Sequence, residues 1–204
     1  MKCIVTGGAG FIGSNLVEAL LRLKFEIIVI DNFSTGRLDN IKEFNAKIKI
    51  VKADISKSGS WIKSFKGASI VFHLAALADI VPSIINPQSY FDSNVTGSMN
   101  VAEACKKFDV KKLIYSASSS CYGIPKKYPT TEKAQIKPEY PYALTKYLGE
   151  RIVMHWGKVY NFDVISLRLF NVYGLKSRTS GTYGAVFGVF LAQKIFKKPF
   201  TIVG

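Results

Sequence analysis

The segment Thr6-Gly7-Gly8-Ala9-Gly10-Phe11-Ile12-Gly13 constrains the fold more than any other part of the chain. It follows a short β-branched run at residues 2–6 and opens an apolar-periodic stretch at 11–23 that predicts a helix. Strand, glycine-rich turn and helix in that order form the first unit of a dinucleotide-binding fold. Gly7 permits the tight turn, Gly10 lets the backbone approach a pyrophosphate, and Gly13 lets the helix pack close to the sheet. The helix N-terminus, with Phe11 and Ile12 in its first turn, offers N–H donors and a positive dipole end to the anion. The spacing G-x-x-G-x-x-G differs by one residue from G-x-G-x-x-G but answers the same physical demands.

The alternation of strand and helix patterns continues along the chain. Strands are expected at 2–6, 26–30, 48–52, 69–73, 112–116 and 163–169, and helices at 11–23, 87–107 and 140–160. Ile70-Val71-Phe72 is apolar without alternation, as a parallel strand covered on both faces requires. Right-handed crossovers then give an α/β fold with a doubly wound parallel sheet, a Rossmann-type domain over residues 1–174. Residues 175–184 read as a loop, 183–197 as a helix and 200–203 as a strand. The pattern breaks off at Gly204, so 175–204 is expected to begin a substrate-binding region that is largely missing.

The second strand ends at Ile30-Asp31-Asn32, with Asp31 18 residues after Gly13. A carboxylate at that spacing accepts hydrogen bonds from ribose hydroxyls and repels a 2′-phosphate, so the cofactor should be NAD and not NADP. Ser34, Thr35 and Gly36 continue the same loop toward the cofactor. Asp54 follows the third strand, with Ile55 next to it; local sequence fits a helix cap and an adenine contact equally well.

Tyr142 and Lys146 stand at i and i+4 in a predicted helix, which puts both on one face. A lysine ammonium there and a positive nicotinamide ring would both favour the phenolate, bringing Tyr142 toward neutral pH. Upstream, at a strand end, lies Ser116-Ala117-Ser118-Ser119-Ser120-Cys121-Tyr122-Gly123. Doubly wound sheets place ligands at C-terminal strand ends, where a serine hydroxyl can hold a substrate oxygen beside the tyrosine.

Together these motifs resemble the extended short-chain dehydrogenase/reductase family, NAD-dependent epimerases and dehydratases, most of all the UDP-glucose 4-epimerase type. The likeness also takes in His73-Leu74-Ala75-Ala76, Ser93-Asn94-Val95-Thr96-Gly97 and Arg168-Leu169-Phe170-Asn171-Val172-Tyr173-Gly174. It implies Ser118 and Tyr142 as the catalytic pair, with Lys146 binding the nicotinamide ribose and tuning Tyr142. Leu74, Ala75 and Ala76 would run past the pyrophosphate and nicotinamide ribose. Asn94 would bind near the nicotinamide end, Ser116 and Phe170 beside the cofactor, and Asn171 at the diphosphate of a nucleotide sugar, expected to be a UDP-sugar. The implied reaction is transient oxidation at sugar C4 by bound NAD, with return of hydride to the opposite face. The 4,6-dehydratases carry Asp-Glu where this chain has Ser119-Ser120, and the lysine of many UDP-galactose 4-epimerases aligns with Ala78. A different oxidoreductase or dehydratase on the same scaffold, and an NAD-binding piece without turnover, stay open as alternatives.

Composition bears on partners. The net charge is +14, but only five of the 28 basic residues are arginine and the lysines are scattered, which argues against nucleic acid and for attraction of an anionic substrate. No apolar run reaches the length of a membrane span and no signal peptide is evident, so the expected location is the cytoplasm, without a membrane partner. Cys3, Cys105 and Cys121 are expected to be reduced thiols, and no metal site is expected. The helices at 87–107 and 140–160 carry Val101, Ala104, Leu148 and Val153, read as a second apolar surface and hence a homodimer contact.

Overall fold

The computed structural model describes residues 1–177 and 186–201. Two compact units divide it, Met1–Phe170 and Asn171–Gly204. In the first, β1 (Lys2–Thr6), α1 (Phe11–Arg22), β2 (Glu26–Asp31), β3 (Ile48–Lys52) and β4 (Ile70–His73) are followed by α2 (Ile80–Ile85) and α3 (Pro87–Phe91). Then come α4 (Gly97–Lys107), β5 (Lys112–Ser118), α5 (Pro141–Tyr160) and β6 (Asp163–Leu169).

The six strands form one parallel sheet in the order β3-β2-β1-β4-β5-β6. This is the doubly wound α/β sheet expected from the sequence. Alternate residues of β1 show why both faces are covered. Cys3 and Val5 point to the side packed by Val17 and Leu20 of α1, while Ile4 points to the side packed by Val101 and Cys105 of α4. Such fully buried aliphatic side chains stabilise the fold by about 1.5–3 kcal/mol each. The strand order reverses between β1 and β4, whose C-terminal residues Thr6 and His73 lie in register. That is the point at which an open α/β sheet leaves a crevice for a ligand.

Helix ends follow their local chemistry. Pro141 occupies the first turn of α5, where its missing N–H costs nothing, and Asn161 ends the helix in the left-handed conformation at φ 56°. The helix expected at 87–107 is interrupted. A π-helical turn, Asp92–Thr96, separates α3 from α4. Gly97 follows that turn, and a Cβ there would lie 3.0 Å from Ile55 Cδ1. α2 had no periodic signal in its six residues.

One expectation fails. Val101, Ala104 and Val153 do not form a second apolar surface; they are buried in the core of this chain at 0%, 3% and 0% exposure. On α4 and α5 they face inward, so a count of apolar residues around these helices overstated what is left outside. The large apolar side chains that these helices expose are Met99, Leu144, Met154, Val159 and Tyr160.

In the second unit, α6 (Val186–Ile195) lies inside the helix expected at 183–197, of which residues 183–185 fall outside the described residues. Phe187 packs on Tyr173 with ring centroids 5.1 Å apart, and Phe190 on Phe200 at 5.0 Å. Phe200 and Thr201 are not in a strand, and the rest of the strand expected at 200–203 lies outside the described residues.

Candidate active site

The glycine-rich turn is held by backbone geometry that side chains would break. Gly7 has φ +70°, and a Cβ on it would stand 2.6 Å from the Ala75 nitrogen. A Cβ on Gly13 would stand 2.2 Å from the Gly7 carbonyl oxygen. At Gly10 the nearest atom is that same oxygen, at 3.2 Å, so nothing in the chain crowds it severely. The N-terminus of α1 carries no side-chain cap and no acidic residue in its first turn, which leaves its N–H groups and dipole facing any anion at the loop.

Asp31, at the end of β2, is 7% exposed. Its Oδ2 accepts the Ala9 N–H at 2.9 Å and its Oδ1 the Phe33 N–H at 2.8 Å. Those bonds fix the carboxylate beside the glycine loop, and each oxygen keeps a lone pair for a further donor. The loop through Asn32, Ser34, Thr35 and Gly36 is pinned by Ser34 N–H to Asn32 Oδ1, and by Arg37 N–H and Asn40 Nδ2 to the Ala9 carbonyl. Asp54 accepts from Ser56 N–H and Oγ, the cap-like arrangement, while the Ile55 side chain belongs to the core and its carbonyl accepts from Asn100.

Across the crevice, Leu74 N–H donates to the Thr6 carbonyl and Ala75 N–H to Thr6 Oγ1, so Leu74, Ala75 and Ala76 start against the end of β1. Asn94 is fully buried in the π turn. Its Oδ1 accepts the Leu77 N–H at 2.9 Å, and its Nδ2 donates to the Leu77 carbonyl and Thr145 Oγ1. It braces the strand-end loop against α5 through groups engaged within the chain.

Ser118 ends β5, paired with Leu169 of β6, and Tyr142 and Lys146 project from the first turns of α5. The Tyr142 hydroxyl donates to Ser118 Oγ at 3.3 Å. Ser118 Oγ also accepts the Ser120 N–H and lies 2.7 Å from Ser120 Oγ. Serine and tyrosine, 24 residues apart in sequence, are thus brought together at one strand end, while Lys146 lies over Tyr115 of the same strand. Burial pushes the Tyr142 pKa up, against a lowering by the Ser118 hydrogen bond and with a further rise from Asp79. The expected depression by Lys146 is not produced by the chain itself. Lys146 is 4% exposed, with Nζ 4.5 Å from the Tyr115 ring centroid, and burial brings its pKa down to about 7 despite Glu150.

Two supporting residues, Tyr115 and Glu150, carried no sequence signal. Tyr115 lies under Lys146. Glu150 takes a two-oxygen ion pair from Arg168, at 2.7–3.2 Å, and Arg168 donates also to the Tyr122 hydroxyl. Ser116 lies on β5, and Phe170, 61% exposed, closes the first unit. Asn171, expected at a substrate diphosphate, opens the second unit.

Known proteins similar to this chain are numerous. Residues 3–204 match the NAD dependent epimerase/dehydratase family. A putative UDP-glucose 4-epimerase of Methanocaldococcus jannaschii is 37% identical over 90% of this chain and 60% of its own length. The UDP-glucose 4-epimerase of Mycolicibacterium smegmatis is 36% identical, over 91% of this chain and 61% of its own. Among solved structures, a UDP-N-acetylglucosamine 4-epimerase from Methanobrevibacter ruminantium in complex with UDP-N-acetylmuramic acid superposes with a TM-score of 0.94 at 34% identity. That match covers 100% of this chain and 65% of the other. The UDP-glucose 4-epimerase of Thermotoga maritima with UDP-glucose gives 0.93 at 32% identity, covering 100% and 66%. The chain spans about 60% of the length of these two curated relatives.

Proposed function

The chain belongs to the NAD-dependent epimerase/dehydratase family, and from that premise we propose that it carries the cofactor site and proton-transfer group of a nucleotide-sugar 4-epimerase acting on a UDP-sugar. The carrying observation is the Tyr142 hydroxyl on Ser118 Oγ, 3.3 Å away at the C-terminal end of β5. Relatives and neighbours named as UDP-sugar 4-epimerases support the substrate class.

The residues fit NAD. The Gly7 and Gly13 positions have no room for a Cβ, α1 presents an uncapped N-terminus, and the Asp31 carboxylate is held beside both. When bound at the glycine turn, the α1 N-terminus and Asp31, NAD would supply a reversible hydride acceptor for sugar C4 and a positively charged ring. The chain's own part is positioning and proton transfer. Tyr142 Oη, as the phenolate that a positive nicotinamide ring would favour against burial, takes the proton from the sugar 4-hydroxyl and gives it back when the hydroxyl is re-formed. Ser118 Oγ, which accepts from the Ser120 amide, turns its own hydroxyl proton to the sugar oxygen. Lys146 binds ribose hydroxyls, and its ammonium, where burial leaves it protonated, adds positive charge one turn beyond Tyr142. Ser119 and Ser120 offer no second acid for elimination, which favours epimerisation over dehydration. Asn171 is assigned to the substrate diphosphate, and the three free thiols fit a reducing compartment, the cytoplasm. The working unit is a homodimer built on α4 and α5.

The test is to titrate NAD by calorimetry, then to incubate the NAD-loaded protein with UDP-glucose and UDP-N-acetylglucosamine and separate the products by chromatography. Interconversion with NAD unchanged is expected. Release of NADH in step with product would make the protein an oxidoreductase, and failure to bind NAD would remove the reading altogether.

A further inference from the structure

At the point where the strand order reverses, Thr6 Oγ1 lies 2.7 Å from His73 Nδ1 and accepts the Ala75 N–H at 3.3 Å. On the other side of the ring, His73 Nε2 lies 3.0 Å from Ser98 Oγ, which donates to the Asn94 carbonyl at 2.6 Å. Thr6, His73, Asn94 and Ser98 are each 0–1% exposed. The His73 ring also meets Tyr115, centroids 5.4 Å apart, and Tyr115 in turn underlies Lys146.

Counting protons fixes the state of the imidazole. A carbonyl only accepts, so the single hydroxyl proton of Ser98 lies on its bond to Asn94. The contact between Ser98 and His73 then requires an N–H at Nε2. A neutral ring protonated there has its lone pair at Nδ1, which accepts the Thr6 hydroxyl proton and leaves Thr6 Oγ1 free to accept from Ala75. Along Ala75, Thr6, His73, Ser98 and Asn94 the donors then run in one direction; Ser98 also lies within hydrogen-bond reach of Tyr115, whose hydroxyl donates to the Lys146 carbonyl. An imidazolium would aim an N–H at Thr6, leaving the Thr6 proton without this acceptor. It would also add a second buried cation near Lys146 of α5, the charged group that faces the ring. The other packed elements present Thr6 from β1, Ser98 from α4 and Tyr115 from β5. Burial first, and Lys146 second, hold the His73 pKa down at about 3.

We propose that His73 is a positioning residue of the cofactor site, a neutral Nε2-protonated imidazole that sets the Thr6 hydroxyl and through it the loop at Ala75. The inference rests on the dinucleotide reading of that site. Its leverage comes from close backbone contact: the Ala75 nitrogen is 2.6 Å from where a Gly7 Cβ would stand, so loop and glycine turn have no slack. The same chain reaches Asn94, whose side chain fixes Leu77 and Thr145.

Two measurements test it. The chain has two histidines, so a His155→Gln variant assigns the ring signals in long-range ¹⁵N correlation spectra. His73 should show a protonated Nε2 and an unprotonated Nδ1, unchanged between about pH 5 and 8, where a free imidazole titrates. A protonated Nδ1, or titration in that range, would overturn the assignment. Thr6→Val and Ser98→Ala each remove one link with little change of volume. Each should weaken NAD binding by about three- to tenfold, the worth of one hydrogen bond. Val101→Ala, a cavity in the core away from the loop, serves as comparison. Should it weaken NAD as much at an equal fall in melting temperature, the chain through His73 is merely structural and the proposal fails. Absence of NAD binding by the unaltered protein would sink the reading of the site itself, a result separate from the tautomer.

Discussion

The Lys146 ammonium sits 4.5 Å from the centroid of the Tyr115 ring, and the Tyr115 hydroxyl donates to the Lys146 carbonyl at 3.2 Å. One strand residue therefore supports both the charge and the backbone of the helical turn that follows Tyr142. The ring face is a weak substitute for water, worth about 0.5–2 kcal/mol. It does not offset the desolvation of a lysine 4% exposed, and the lysine pKa falls to about 7.

A pH dependence of stability follows. Between about pH 7 and 10.5 the unfolded chain keeps the Lys146 proton and the folded chain has lost it. Because the unfolded state binds more protons there, the lysine's contribution to stability rises with pH across that window and is most unfavourable below it. Lys146→Met should melt higher than the parent protein at pH 6, with the gap shrinking steadily toward pH 10. Parallel melting curves with a constant gap would show that Lys146 carries no such shift.

Tyr142→Phe removes the hydroxyl that donates to Ser118 and keeps the ring packed edge-on against Tyr90, centroids 6.4 Å apart. In a protein that turns over UDP-sugars, kcat should fall by about 10²–10⁴-fold, the usual worth of a positioned acid–base group. NAD affinity should change little, because the glycine loop and Asp31 are untouched. Steady-state rates together with a calorimetric NAD titration decide it; a loss confined to a few-fold would assign the proton transfer elsewhere.

What could be read from the sequence, and what could not, divides on sequence distance. Strands such as Cys3–Val5 within β1 announce themselves because burial on both sheet faces selects β-branched and apolar residues over a continuous run. Gly7 and Gly13 announce themselves because backbone contact excludes every Cβ. Thr6 and His73 lie 67 residues apart, and nothing in either local pattern says that their side chains meet. Asn94 was legible as a motif residue, but its engagement with Leu77 and Thr145 depends on the π turn, which the 3.6-residue period does not encode. Spacing along a helix puts Tyr142 and Lys146 on one face but says nothing of where Nζ points, which in the fold is over the Tyr115 ring.

The Glu150–Arg168 pair makes a prediction about packing. Glu150 is 6% exposed, and its carboxylate is held by three contacts from Arg168, which also reaches the Tyr122 hydroxyl. Arg168→Met would leave that carboxylate buried without its partner, and should destabilise the fold by about 3–5 kcal/mol. Glu150→Leu combined with Arg168→Met should recover most of the loss. Chemical denaturation of the two single variants and the double variant gives the coupling; additive losses would mean that the pair is not energetically joined.

Asp31 is expected to set the cofactor preference. Both carboxylate oxygens are anchored by backbone N–H groups beside the glycine loop, so the negative charge cannot swing away from a 2′-phosphate. Calorimetry should give much tighter binding of NAD than of NADP, and Asp31→Ala should narrow the difference by weakening NAD. Equal affinities in the unaltered protein would refute the role.

The outward sides of α4 and α5 make the last prediction. The two helices pack on one another, joined by the Trp156 indole donating to Glu103 at 2.6 Å and by Lys106 stacked 4.0 Å from the Tyr160 ring. Beyond that seam they leave Met99, Leu144 and Met154 exposed by 37%, 45% and 43%. Methionine and leucine on neighbouring helix surfaces offer apolar area that a second copy of the same pair can cover, and a two-fold contact uses the same patch twice. Acidic substitutions there bury like charges face to face in a dimer and are harmless on a monomer. The unaltered protein should therefore scatter light as a dimer at micromolar concentration, and Leu144→Glu with Met154→Glu should scatter as a monomer with NAD affinity retained. A monomeric mass for the unaltered protein, or a dimer indifferent to both glutamates, would place the contact elsewhere or remove it.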